Sequence, residues 1–162
     1  MTQSSTKHEK AKITMISDHE AQITRTFRAP RTLVWKAMTM PEHVRHWYGP
    51  HDTNITEIKM DLRVGGKWRI VMSSERGDAA FSGEYLEIHA PSRLVQTWRF
   101  EPIEGAESIE TMTLEERGDV TLMTAIVKHK SAENLAGHLQ SGMEEGMHET
   151  YERLDTLLAK LG

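Results

Sequence analysis

The chain has 162 residues, of which 38% are hydrophobic and 27% charged, with a formal net charge of −4 and no cysteine. This is enough chain for one domain with a sizeable core. The charge disfavours a nucleic-acid surface, which needs a basic patch, and the missing cysteines exclude disulfides, thiolate nucleophiles and thiolate metal sites. No apolar run reaches the roughly 18 residues of a membrane span, and the polar opening MTQSSTKHEK has no signal-peptide core. The expected location is therefore the cytoplasm, with neither a membrane nor a nucleic acid as partner.

In chain order, residues 1–10 read as a disordered leader and 11–162 as a single domain. Lys12 to Phe27 reads as a long strand, bent or interrupted near Ser17-Asp18, with Ile23, Arg25 and Phe27 alternating at its end. Ala29-Pro30 then introduces a short helix over Thr32–Met38, with Leu33, Val34 and Ala37 at helical spacing. Thr39 is the expected cap of a second short helix that carries Val44 and Trp47 and stops at Gly49-Pro50.

Strands joined by turns follow. Thr53–Met60 alternates weakly, and Val64-Gly65-Gly66 bends the chain into Lys67–Ser73, where Trp68, Ile70 and Met72 share one face. Phe81–Ile88 is the next strand. Leu94–Phe100 sets Leu94, Gln96, Trp98 and Phe100 on one side. Ile109–Glu116 and Val120–Lys128 pair around Arg117-Gly118-Asp119.

Ser131 then caps a helix expected to run about thirty residues to the C-terminus. Its apolar face holds Leu135, Leu139, Met143, Met147, Thr150, Leu154, Leu157, Leu158 and Leu161, with Glu144, His148, Glu152 and Asp155 opposite. The ends of that face are leucine-rich, whereas its centre is Gly142, Met143, Gly146, Met147 and Thr150. Each glycine inside a helix costs about 1 kcal/mol relative to alanine. Two readings explain them: a thinned helix centre that leaves a cavity with a methionine wall, or close approach of Trp68 or Trp98 to the helix backbone. Ten methionines against three phenylalanines suit an adaptable cavity, and also ordinary gap-filling. Strands in series with segregated helices indicate an α+β fold.

Four blocks, ITRTFRAPRTLVWKAMTMPEHVRHWYGP, DLRVGGKWRIVM, FSGEYLEIHAPSRLVQTW and SGMEEGMHETYERLDTLLAKL, resemble in order and spacing the family named after the activator of heat-shock-protein-90 ATPase. That family belongs to the START-like (SRPBCC, polyketide cyclase and birch-pollen-allergen-like) helix-grip superfamily. The resemblance spans residues from about 20 to 160. It implies a curved antiparallel sheet of about six or seven strands wrapped around a long C-terminal helix, with two short helices after the first strand. It also implies an apolar ligand between sheet and helix. The chain departs from the family pattern at Val64, where proline often precedes the two glycines; at Tyr48, in a Trp-Trp-Gly-Pro type block; and at Met147, where an aromatic often stands.

The residues expected to bind ligand are Trp35, Trp47, Trp68, Ile70, Met72, Phe81, Tyr85, Trp98, Gly142, Met143, Gly146, Met147 and Thr150. The aromatics among them have core packing as the alternative. No catalytic residue is assigned, although Glu84, Glu87, Arg69, Arg99, Tyr85 and His138 are the groups that acid–base chemistry would draw on. Of Glu84 and Glu87, one is expected to point inward or to sit at the rim. His43, His46 and His51 lie close in sequence but lack a third ligand at metal-site spacing, and no phosphate-binding glycine fingerprint occurs, so no cofactor is expected. Three functions follow: binding of a small hydrophobic or amphipathic molecule; an enzyme of cyclase, dehydratase or hydrolase type; or, by the family name, stimulation of a chaperone ATPase. An exposed edge strand would allow a homodimer.

Overall fold

The computed structural model describes residues 10–162. The expected leader therefore lies, except for Lys10, outside the described residues. Eight strands form one antiparallel sheet: β1 (Lys12–Met15), β2 (Glu20–Phe27), β3 (Asn54–Met60), β4 (Lys67–Ser74), β5 (Gly77–His89), β6 (Arg93–Phe100), β7 (Glu107–Arg117) and β8 (Val120–His129). Their order is β1-β2-β8-β7-β6-β5-β4-β3. Helices α1 (Arg31–Thr39) and α2 (Pro41–Val44) connect β2 to β3, and α3 (Ala132–Gln140) and α4 (Met143–Leu161) close the chain. The α+β class and the C-terminal helix against a large antiparallel sheet are as the sequence predicts.

Alternation builds the sheet's inner face. Along β2, Ala21, Ile23, Arg25 and Phe27 are buried and their neighbours are less so, while Trp68, Ile70 and Met72 are buried on β4. Register shifts between Ile55 and Glu57 and between Tyr85 and Glu87 add local bends. The core lies between this face and the helices, with Phe27, Val34, Ala37, Leu154 and Leu158 almost or fully enclosed. Trp47 ties the end of α2 to α1 by donating its indole N–H to the Ala37 carbonyl at 2.8 Å.

Several local expectations are corrected. The segment from Lys12 to Phe27 is not one strand but a hairpin: the interruption at Ser17–His19 reverses the chain and sets Lys12 opposite Thr24, which raises the strand number to eight. Thr39 caps nothing; its hydroxyl donates to the Trp35 carbonyl at 2.7 Å, and extended Met40 precedes α2 instead.

The C-terminal helix is broken in two. Gly142 takes φ 86°, in the left-handed region, and starts α4, so the right-handed helix cannot pass through it. Just before it, the Ser141 hydroxyl donates to the His138 carbonyl at 2.6 Å and ends α3. Asp155, assigned to the solvent side, is 7% exposed. It is held by Arg25 of β2 at 2.9 Å and 2.6 Å through two parallel hydrogen bonds. An acid on the helix's inner side is hidden from the apolar pattern because its partner, a charged residue in a strand, is just as unexpected there.

Candidate functional site: a cavity between sheet and helix

A cavity of about 1000 Å³ lies between the inner face of the sheet, the α2–β3 connection and the two C-terminal helices. Trp47, Trp68, Ile70, Met72, Phe81, Tyr85 and Trp98 line it from the α2 and sheet side. Gly142, Met143, Gly146, Met147 and Thr150 line it from the helix side. Trp35 is not at its wall; it is buried in the core on α1. Alternation explains the rest, since each strand presents every second residue to this space.

The two helix glycines bear on the cavity and not on tryptophan packing. A Cβ at Gly142 would meet nothing within 4 Å, and one at Gly146 would meet only Pro50 Cγ at 3.5 Å. Close approach to a tryptophan occurs instead at Gly83, where a Cβ would overlap the Thr97 carbonyl and the Trp68 indole nitrogen.

The inner face carries a row of polar groups that includes Glu110, which the sequence pattern does not single out. Tyr85, Gln96, Glu110 and Val127 stand opposite one another across β5, β6, β7 and β8. The Gln96 amide donates to Glu110 Oε1 at 3.0 Å. Enclosure raises the Glu110 carboxyl above the usual carboxylate range, opposed by the Gln96 hydrogen bond. Burial, and then the Glu110 charge, raise the phenols of Tyr48 and Tyr151, so both stay protonated. Along β7, Glu110 alternates in phase with Met112 and Leu114. An acid in phase with Met112 and Leu114 is the available signal.

One row further on, Trp98, Ser108 and His129 are aligned across β6, β7 and β8. His138 of α3 lies flat on Trp98, centroids 5.3 Å apart and planes 9° apart. Its Nδ1 is 3.1 Å from His129 Nε2, so one nitrogen donates and the other accepts. Burial and the neighbouring imidazole push His138 down to about 4, and burial lowers His129 as well. The pair is neutral at neutral pH. Phe81 joins Trp98, Phe100 and Tyr48 in one aromatic cluster, with centroids 5.3–6.1 Å apart, and the Trp98 indole N–H donates weakly to the Tyr48 hydroxyl at 3.4 Å.

Neither Glu84 nor Glu87 reaches the cavity, contrary to expectation. Glu84 lines a separate groove with Arg69 and Arg99. Glu87 is exposed beside Arg93, on the side to which the register shift after Tyr85 turns it. Arg69 bridges Glu57 and Glu101 at 2.8 and 2.9 Å. Among the described residues, no three His, Asp or Glu side chains are grouped as metal ligands, and no helix is long and apolar enough to cross a membrane.

A large antiparallel sheet closed over a C-terminal helix, with a cavity between them, defines the helix-grip class. The sequence profile of the Activator of Hsp90 ATPase homolog 1-like protein family matches residues 28–159, and the chain belongs to that family, within the START/SRPBCC superfamily. Solved structures agree. A Rhodobacter sphaeroides protein superposes with a TM-score of 0.87 at 24% identity, over 93% of this chain and 99% of that one. A Nitrosomonas europaea protein gives 0.80 at 26% identity, over 92% and 100%. The AHSA1-like protein from Aeromonas hydrophila gives 0.65 at 19% identity, over 87% and 95%. Among curated proteins, none matches the chain significantly.

Proposed function

We propose that this protein is a cytoplasmic binding protein for a small apolar or amphipathic molecule held between the sheet and the C-terminal helices. The observation that carries this reading is the cavity: about 1000 Å³, at the upper end of the roughly 300–1000 Å³ typical of small-molecule sites. Its wall is mostly aromatic and aliphatic, with a few placed polar groups, the usual composition of such sites. Tyr48, Phe81, Trp98 and Met147 line this space and are only partly buried, so a ligand there would cover apolar surface, the main source of binding energy. A panel of lipids, aromatic polyketides and hydrophobic metabolites, read by native mass spectrometry and thermal shift, tests the reading. At least one adduct with a raised melting temperature is expected; none at all overturns it.

One observation favours a second reading, acid–base catalysis on a bound substrate. Glu110, Tyr48 and Tyr151 bring titratable groups to the same cavity as the His129–His138 pair. A panel compound recovered after incubation with a changed mass or isomeric form would support it; unchanged recovery of every bound compound would remove it.

A further inference from the structure

The charges of the cavity are one-sided. Glu110 is inside, and Asp78, Glu104 and Glu133 are exposed residues at the rim. Among the described lining residues, the lysine and arginine count is Arg76 alone, and it is already paired with Asp52 at 3.0 Å. The two histidines of the wall are neutral. Glu110 therefore sits in an aromatic cavity without an ion-pair partner among the described residues, its only hydrogen bond coming from Gln96 to Oε1.

A half-buried carboxyl group with a single hydrogen bond retains acceptor capacity for a cation or a proton. A bound cation suits the site in two ways. It neutralises Glu110, and it lies among aromatic rings, whose negative faces attract cations. The phenol oxygens of Tyr48 and Tyr151, which line the same cavity as Glu110, are further acceptors for ammonium N–H groups. A carboxylate-bearing ligand would instead bring a second acid into the same enclosure, and an alcohol would form no ion pair with Glu110.

Resting on the binding function proposed above, we propose that the cavity selects a molecule with an apolar body and an amine, whose ammonium is held by Glu110 with Tyr48 and Tyr151 alongside. The acidic rim favours entry of the same charge.

The test is isothermal titration of the wild-type protein with octylamine, 1-octanol and octanoate at neutral pH, repeated on E110Q. Octylamine should bind at least about tenfold more tightly than 1-octanol, with octanoate weakest. E110Q, checked for folding by its melting temperature, should bring octylamine to within about threefold of 1-octanol. Equal or tighter binding of the alcohol or the acid to wild type overturns the amine assignment while leaving an apolar-binding function standing. A folded E110Q that keeps the amine preference also overturns it. If none of the three binds, the binding function falls and this inference with it. The wild-type comparison decides the matter even if E110Q does not fold.

Discussion

Arg25 and Asp155, 130 positions apart in the chain, form a buried two-pronged ion pair with side chains 3% and 5% exposed. It fastens the C-terminal half of α4 to β2. The Arg25 guanidinium also lies 4.9 Å from the Phe27 ring centroid and 6.0 Å from that of Tyr151. The pair thus anchors the helix next to the cavity wall, and the grip of sheet on helix has a polar fastening as well as an apolar one.

Removing one partner strands the other. Asp155→Ala should destabilise the protein by about 3–5 kcal/mol, the usual cost of an uncompensated buried charge. Urea unfolding measures this. The double variant R25M/D155L should recover much of the loss, because both charges of this pair are removed together.

The two helix glycines should respond with opposite signs. Gly142→Ala forces an alanine to φ 86° and should cost about 1–2 kcal/mol despite the open space around it. Gly146→Ala lies inside α4 with only an ordinary contact to Pro50, and should stabilise by about 0.5–1 kcal/mol. Thermal unfolding of the two single variants is the check.

Both glycines stood out in the sequence, but periodicity cannot show which of them breaks the helix, because apolar spacing resumes on the far side of the kink. Strand faces were more legible. Trp68, Ile70 and Met72 follow strict alternation and end on the inner face, where Phe81 and Trp98 also point. Trp35 stands in the core and not at the cavity wall; an aromatic on an amphipathic helix reads the same whether it meets a cavity or the core. The inward placement of Glu110 and of Asp155 is hidden from the pattern for a shared reason. Each depends on what faces it across the fold, Gln96 in one case and Arg25 in the other, and single-chain patterning does not reveal such pairings.

The His129–His138 contact makes stability depend on pH. His138 is held at about 4 in the folded protein and rises to about 6.5 on unfolding. Over that window the unfolded chain binds the extra proton, so stability is full above about pH 6.5 and falls as the pH drops toward 4. His138→Phe keeps an aromatic ring beside Trp98 and removes the titration. The wild type should therefore lose stability relative to this variant between pH 7 and 4, by on the order of 2 kcal/mol. Chemical denaturation at several pH values reads the difference.

Met147 lines the cavity from near the N-terminal end of α4. Met147→Trp should occupy part of the space and weaken binding of 1-octanol at least about fivefold, with little change in unfolding free energy, as an added side chain here enters a void and not a packed core. Titration calorimetry, paired with urea unfolding, separates the two effects.

The methionines offer the most direct view of the central claim. Met72, Met112, Met143 and Met147 line the cavity, whereas Met15 is 50% exposed on edge strand β1. With ε-methyl groups labelled with carbon-13, NMR spectra recorded through titrations with octylamine and with 1-octanol report where an apolar molecule settles. The account predicts saturable shifts of the Met72, Met112, Met143 and Met147 methyls while the Met15 methyl stays in place. Shifts confined to Met15, or unmoved cavity methyls at the solubility limit of both probes, would contradict it.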